Sequence, residues 1–264
     1  MGYINDLKEQ ALATLKGKWG SFVGLTFIYM LLYGLACCLI IYGTLFEGSS
    51  FTTMAIVFNI VGLVISFLFI PIQYGYYIAH LNSSRQDLPA DIADLFFGYK
   101  RFGHVIGTYL LMMVVFMVAA IPLVIMAVLA AFYENTTAGI VIQGLVFFFE
   151  IPLIILALAY SMVTFILYDD EELSPKEILT KSRMMMKGHK GELFLLMLSF
   201  IGWMLLCILT LGIGMLWLMP YMQMTLAKFY EQIRAEYEGV GEEEMPMQEE
   251  MPQQEEAAPG DVTE

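Results

Sequence analysis

Two stretches of this sequence put chemically capable side chains close together. The first is "MMMKGHKGELF", residues 184–194. Met184, Met185, Met186 and His189 form a soft donor set that would suit copper(I). Lys187, His189, Lys190 and Glu192 mix acids and bases in the same short segment. Successive residues on a helix point in different directions, so three adjacent thioethers do not converge on one ion. The 20 methionines are scattered along the whole chain. None of His80, His104 and His189 has a second His or Cys at ligand spacing. No metal and no cofactor are expected. The second stretch is "VFFFEIPLIIL", where Glu150 is the only charged residue deep inside an apolar run. A carboxylate at the centre of a bilayer costs about 2.5–3.5 kcal/mol on insertion scales, so such residues are paired or functional. Pro152 would free a backbone carbonyl beside it and kink the helix. Two readings stay open. Glu150 marks a proton, cation or substrate cavity, or it is a protonated acid bonded across helices to Gln143, Asn59 or Gln73. A third cluster, "YDDEEL" at Tyr168–Leu173, could take a divalent cation or a basic partner, but a run of this kind is expected to be a solvated linker. No nucleophile elbow, zinc-protease helix, Walker loop or dinucleotide fingerprint is present, and the chain is not expected to be an enzyme.

The elements that must position these residues are membrane spans. The chain has 264 residues, 59% hydrophobic and 15% charged, with mean hydropathy +0.70. Soluble domains run to about 45–50% apolar and about 25% charged. The apolar residues fall in the runs Phe22–Phe46, Met54–Ala79, Val105–Phe132, Gly139–Tyr168, Leu193–Leu211 and Met215–Lys228. Most are near or above the ~20 residues that cross ~30 Å of hydrocarbon. The last two are one long helix or a tight hairpin, with Thr210, Gly212 and Gly214 where a turn would fall. Charge favours the hairpin. With six spans and both termini inside, all 13 Lys and Arg are cytoplasmic, and the external loops near 47–53, 133–138 and 210–214 hold none. Most of the net charge of −13 belongs to one segment: residues 239–264 are Pro- and Glu-rich, with nine acidic residues and no Lys or Arg. That tail is expected to be disordered, and it suits a basic protein partner. Cys37, Cys38 and Cys207 all lie in apolar runs and predict no disulfide framework. Nothing points to nucleic acid.

Three segments that precede spans resemble one another: "YINDLKEQALATLKGKWGSFVG", "ADIADLFFGYKRFGHVIG" and "SPKEILTKSRMMMKGHKGELF". Each opens on a polar residue and then places apolar residues at helical spacing. These are Ile4, Leu7, Ala11 and Leu15; Ile92, Leu95, Phe96 and Tyr99; and Ile178, Leu179, Ser182, Met185 and Met186. Each ends in a basic turn with glycine, aligned on Gly20, Gly103 and Gly191. The pattern predicts three pseudo-repeats, about 1–81, 82–170 and 171–238, each an amphipathic helix in the headgroup plane followed by a helical hairpin. Lys16, Lys18, Trp19, Lys100, Arg101, Lys187 and Lys190 would meet anionic headgroups. Met185 and Met186 would face the bilayer, and Gly188 and Gly191 would make the third corner. Ser174 and Pro175 open the third helix as N-cap and first residue, with Glu177 completing a capping box.

The third unit carries a resemblance. Ser182-Arg183, the turn Lys187–Lys190, Leu198-Ser199-Phe200, Gly202-Trp203, Thr210–Gly214, Pro220-Tyr221 and Phe229-Tyr230 resemble the C-terminal signature of domain of unknown function 975, a bacterial family of multipass membrane proteins. The N-terminal "ALATLKGKWG" also fits, and the resemblance reaches over about the first 235 residues. It implies an integral protein of the bacterial inner membrane and no activity. The expectation is an all-α membrane protein with a six-helix transmembrane domain at 1–238. Its expected role is a non-enzymatic scaffold or accessory protein; a small-molecule or lipid transporter with a cavity near Glu150 is the alternative.

Overall fold

The computed structural model describes residues 2–45, 52–133 and 136–243, and among them there is no strand. In chain order come α1 (Gly2–Leu15), α2 (Trp19–Leu45), α3 (Thr52–Gln86) and a 3-10 helix (Ile92–Arg101). There follow α4 (Phe102–Phe132), α5 (Thr137–Ala159), α6 (Val163–Asp169), α7 (Pro175–Met185), α8 (Lys190–Leu198), α9 (Ile201–Leu209) and α10 (Met215–Glu243). Five stretches are long and apolar enough to cross a membrane: Trp19–Tyr42, Ile56–Gln86, Ile92–Phe132, Thr137–Asp169 and Lys190–Leu209. α10 is not among them, because charged residues fill its second half. It continues as helix past residue 238, where the tail was expected to begin. Residues 244–264 lie outside the described residues, as do 46–51 and 134–135 of the expected external loops.

Neighbouring long helices pack antiparallel, and their partners pair in reverse order. Along α2 and α3, Tyr42 meets Phe58, Tyr33 meets Phe69, Thr26 meets Tyr76 and Phe22 meets His80. Between α4 and the α5–α6 segment, Phe116 meets Tyr160 and Tyr109 meets Thr164. α9 and α10 double back through the expected turn. There Leu211 and Gly212 take φ of 52° and 87°, and the Gly212 N–H donates to Cys207 O at 2.9 Å. Phe200 and Tyr221 then meet at 5.2 Å.

Two apolar runs that read as single helices are interrupted, the first of them not at its proline. Pro152 sits inside continuous helix α5, and the break comes at Tyr160–Met162. The second break is at Ser199 and Phe200. At each, a serine hydroxyl bonds back three residues, Ser161 to Leu158 O and Ser199 to Leu196 O, which competes with the helical ladder. A broken helix in an apolar setting needs a donor for its freed carbonyls. The Ser182 hydroxyl of α7 donates to Ala159 O at 2.9 Å, and Lys8 of α1 donates to Ser199 O at 3.2 Å. The short helices before the spans thus complete the backbone of the spans.

That role corrects their expected placement. Leu7, Ala11 and Leu15 of α1 are buried inside the protein, α1 lying chiefly on α10, and so are Ile178, Leu179 and Ser182 of α7. Met185 and Met186 do not face the bilayer; both are fully buried in the core. Only the 3-10 helix keeps an exposed apolar face, with Ile92, Phe96 and Tyr99, while Leu95 is buried. The corners also shift. The left-handed positions are Gly17 (φ 81°) and Gly188 (φ 99°), while Gly20 and Gly191 sit inside helices. The middle corner has no such glycine, because the 3-10 helix runs directly into α4. It crosses α3 at close range instead. A Cβ on Gly98 would lie 2.8 Å from Pro71 Cα, and one on Gly75 would lie 2.6 Å from the Leu95 carbonyl carbon.

The largest core cluster gathers where α1, α7 and the ends of α3, α6 and α10 meet. The far halves of the long helices are apolar and exposed: Met113, Met117, Val118, Ile121, Val124 and Val128 of α4 are all open. Helices apolar on their outer faces need a non-aqueous surround.

Candidate functional site

Helices α3, α6 and α10 meet in one cluster of charge. Asp169, at the end of α6, has a side chain only 4% exposed. Its carboxylate accepts two bonds from Arg85 of α3, at 2.7 and 2.8 Å, one from the Tyr230 hydroxyl of α10 at 2.7 Å, and one from Arg234 of α10. Arg85 also donates to Glu231 at 2.6 Å, and Arg234 to Glu238 at 2.7 Å. The fork of Arg85 matches a carboxylate bidentately, which gives direction as well as strength. Burial, with the Asp169 carboxylate beside it, pushes the Tyr230 phenol well above its ordinary value, so it stays a donor. Burial works against the Arg234 charge, but Glu238 and Asp169 hold its pKa above the usual value.

The expected solvated linker therefore does structural work. Besides Asp169, Asp170 takes Lys181 at 2.8 Å and Glu171 takes Arg101 at 3.2 Å. Each acid ties the end of α6 to a different element. The signal for Asp169 was present in the sequence only as an acid at the end of an apolar run. Its partners, 84 and 65 positions away, carry no local mark.

Of the residues expected to meet headgroups, Lys18 is paired with Asp87 and Arg101 with Glu171. Lys100 is exposed, with its ammonium 5.3 Å from the Phe97 ring. Lys16 and Lys187 are exposed, and Trp19 and Lys190 are half-buried. The Glu150 group does not converge. Glu150 and Gln143 are both exposed on α5, two turns apart, and Glu150 has no hydrogen-bond or ion-pair partner among the described residues. Asn59 and Gln73 are half-buried on α3, whose main neighbours are α2, the 3-10 helix and α10, whereas α5 lies on α4 and α8. No described cavity is lined by Glu150. His189 lies between Glu192 at 3.0 Å and Glu236 at 3.5 Å. Among the described residues no group of His, Cys, Asp or Glu could hold a metal ion.

These features define an all-helical protein with apolar, membrane-compatible helices joined at one charged end. A family model matches residues 1–237, and the chain belongs to that family, the proteins of unknown function termed DUF975. No curated protein and no solved structure matches it.

Proposed function

We propose that this is a multipass protein of the bacterial inner membrane, a non-enzymatic scaffold or accessory protein. It crosses six times as three hairpins, with both termini cytoplasmic. The carrying observation is the Asp169 cluster, which ties the ends of α3 and α6 to the interior of α10. All the ion pairs among the described residues lie at that end. The 13 basic residues lie in the segments that form it, as a cytoplasmic face requires. In this reading the outward-facing basic side chains contact anionic headgroups, and the acidic tail offers a docking segment for a basic protein.

Two measurements test the proposal. A reporter fused after Glu264 should read cytoplasmic; an external reading refutes the six-span topology. Purified protein in proteoliposomes should show no solute or ion flux that depends on Glu150. Flux that collapses in Glu150→Gln would establish the transporter alternative instead.

A further inference from the structure

All three tryptophans of the chain line one groove. Trp19 at the start of α2, Trp203 of α9 and Trp217 of α10 surround a cleft of about 420 Å³, completed by Leu12, Leu206 and Tyr221 among others. Its lining is almost wholly apolar. The one lining hydroxyl besides Tyr221, that of Thr210, is already committed to Cys207 O at 2.9 Å and to the Gly214 N–H at 3.0 Å. The volume falls within the range of ligand pockets, about 300–1,000 Å³. None of the three indole N–H groups has an acceptor among the described residues. An indole ring keeps its body in apolar surroundings and seeks a partner for its N–H.

The two ends of the groove differ. The far end is the Thr210–Gly214 turn. The near end is Leu12 and Trp19, on either side of the basic turn at Lys16–Lys18. Lys8, Leu12 and Lys16 follow one another at single-turn spacing, so the two ammonium stems flank the lining leucine. Lys18 is held by Asp87 and Lys8 by Ser199 O. Lys16 is exposed and, among the described residues, makes no ion pair. Lys16 is thus the cation left at the near end for an outside anion. From Trp203 to Thr210 the wall is seven residues of helix, about 10 Å at 1.5 Å per residue, long enough to lie along part of an acyl chain.

We propose that this groove binds one acyl chain of an anionic phospholipid, with the phosphate held by Lys16 and the indole N–H groups facing the ester and phosphate oxygens. An apolar slot with an exposed cation beside its mouth fits a lipid tail and its headgroup together. The inference rests on the membrane reading above but not on the scaffold role.

Because all three tryptophans line it, fluorescence excited selectively at tryptophan, away from the 15 tyrosines, reports this groove. The protein is reconstituted in nanodiscs doped with phosphatidylglycerol or phosphatidylcholine brominated on one chain. Brominated phosphatidylglycerol should reach half-maximal quenching at about fivefold lower mole fraction, the advantage of one basic residue near an anionic headgroup. Lys16→Gln should bring the two lipids together, and Leu206→Phe, which narrows the slot, should weaken quenching by both. Equal quenching by the two lipids in the wild-type protein overturns the proposal. So does protection from both in a protein that runs as a dimer, which would assign the groove to a second copy. Failure to enter nanodiscs would instead count against the membrane reading itself.

Discussion

Replacing Asp169 by Asn removes the charge on which α3, α6 and α10 converge and leaves the side-chain shape nearly unchanged. Four donors lose their anionic acceptor: two from Arg85, one from Tyr230 and one from Arg234. Breaking a buried ion pair by removing one partner costs about 3–5 kcal/mol. Here the two arginines keep Glu231 and Glu238, and their side chains are 27% and 29% exposed, so water and residual partners screen part of the loss. About 2–3 kcal/mol remains. That is about a 30- to 150-fold shift in the unfolding equilibrium. The measurement is SDS-induced unfolding in mild detergent, followed by tryptophan fluorescence. Asp170→Asn is the control. It loses one 2.8 Å bond to Lys181 with both groups partly exposed, and about 1 kcal/mol or less is expected. A double-mutant cycle of Asp169→Asn with Arg234→Gln should show coupling above about 0.5 kcal/mol. If Asp169→Asn costs no more than Asp170→Asn, the cluster does not join the helix ends and the reasoning is wrong.

Three further outcomes follow from the packing. Gly98→Ala should destabilise the fold by about 1–3 kcal/mol by the same assay, because its Cβ meets backbone of Pro71, whereas Gly103→Ala meets nothing within 4 Å and should be tolerated. Gly188→Ala should cost about 1 kcal/mol through its φ of 99° alone, and Gly188→Asn should recover part of that. Acidification should loosen the start of α7. The Ser174 hydroxyl and N–H hold the Glu177 carboxyl below its ordinary value of 4.5, so the capping box is intact above that pH and is lost as pH falls further. Amide exchange at Ile178 and Leu179 should accelerate there, and Glu177→Gln should remove the pH dependence.

How much was legible depends on the range of each interaction. The long apolar helices announce themselves because burying or exposing twenty consecutive apolar side chains is decided residue by residue. The capping box of Ser174 and Glu177 is local and was readable for the same reason. So was the α9–α10 turn, where Gly212 supplies the backbone angle that the reversal needs. The breaks at Ser161 and Ser199 were not readable. Serine tolerates a helix interior unless a donor from elsewhere satisfies the freed carbonyls, and those donors, Ser182 and Lys8, stand 23 and 191 positions from the carbonyls they meet.

The candidate site divides in the same way. Glu150 was conspicuous because a charge in an apolar run contradicts its neighbours, yet the fold leaves it exposed and without a described partner. Asp169 was inconspicuous in an acidic run, yet the fold buries it between two arginines. From the amino-acid order alone came the all-helical class, its long apolar helices and the family, all properties of periodicity, composition and short-range chemistry. Which faces of α1 and α7 are covered, which acid is a solvated charge and which is a buried one, and that three distant tryptophans share one groove were settled only by tertiary packing. Burial is a property of what comes to lie against a side chain, and in this molecule the decisive neighbours are separated by scores of residues.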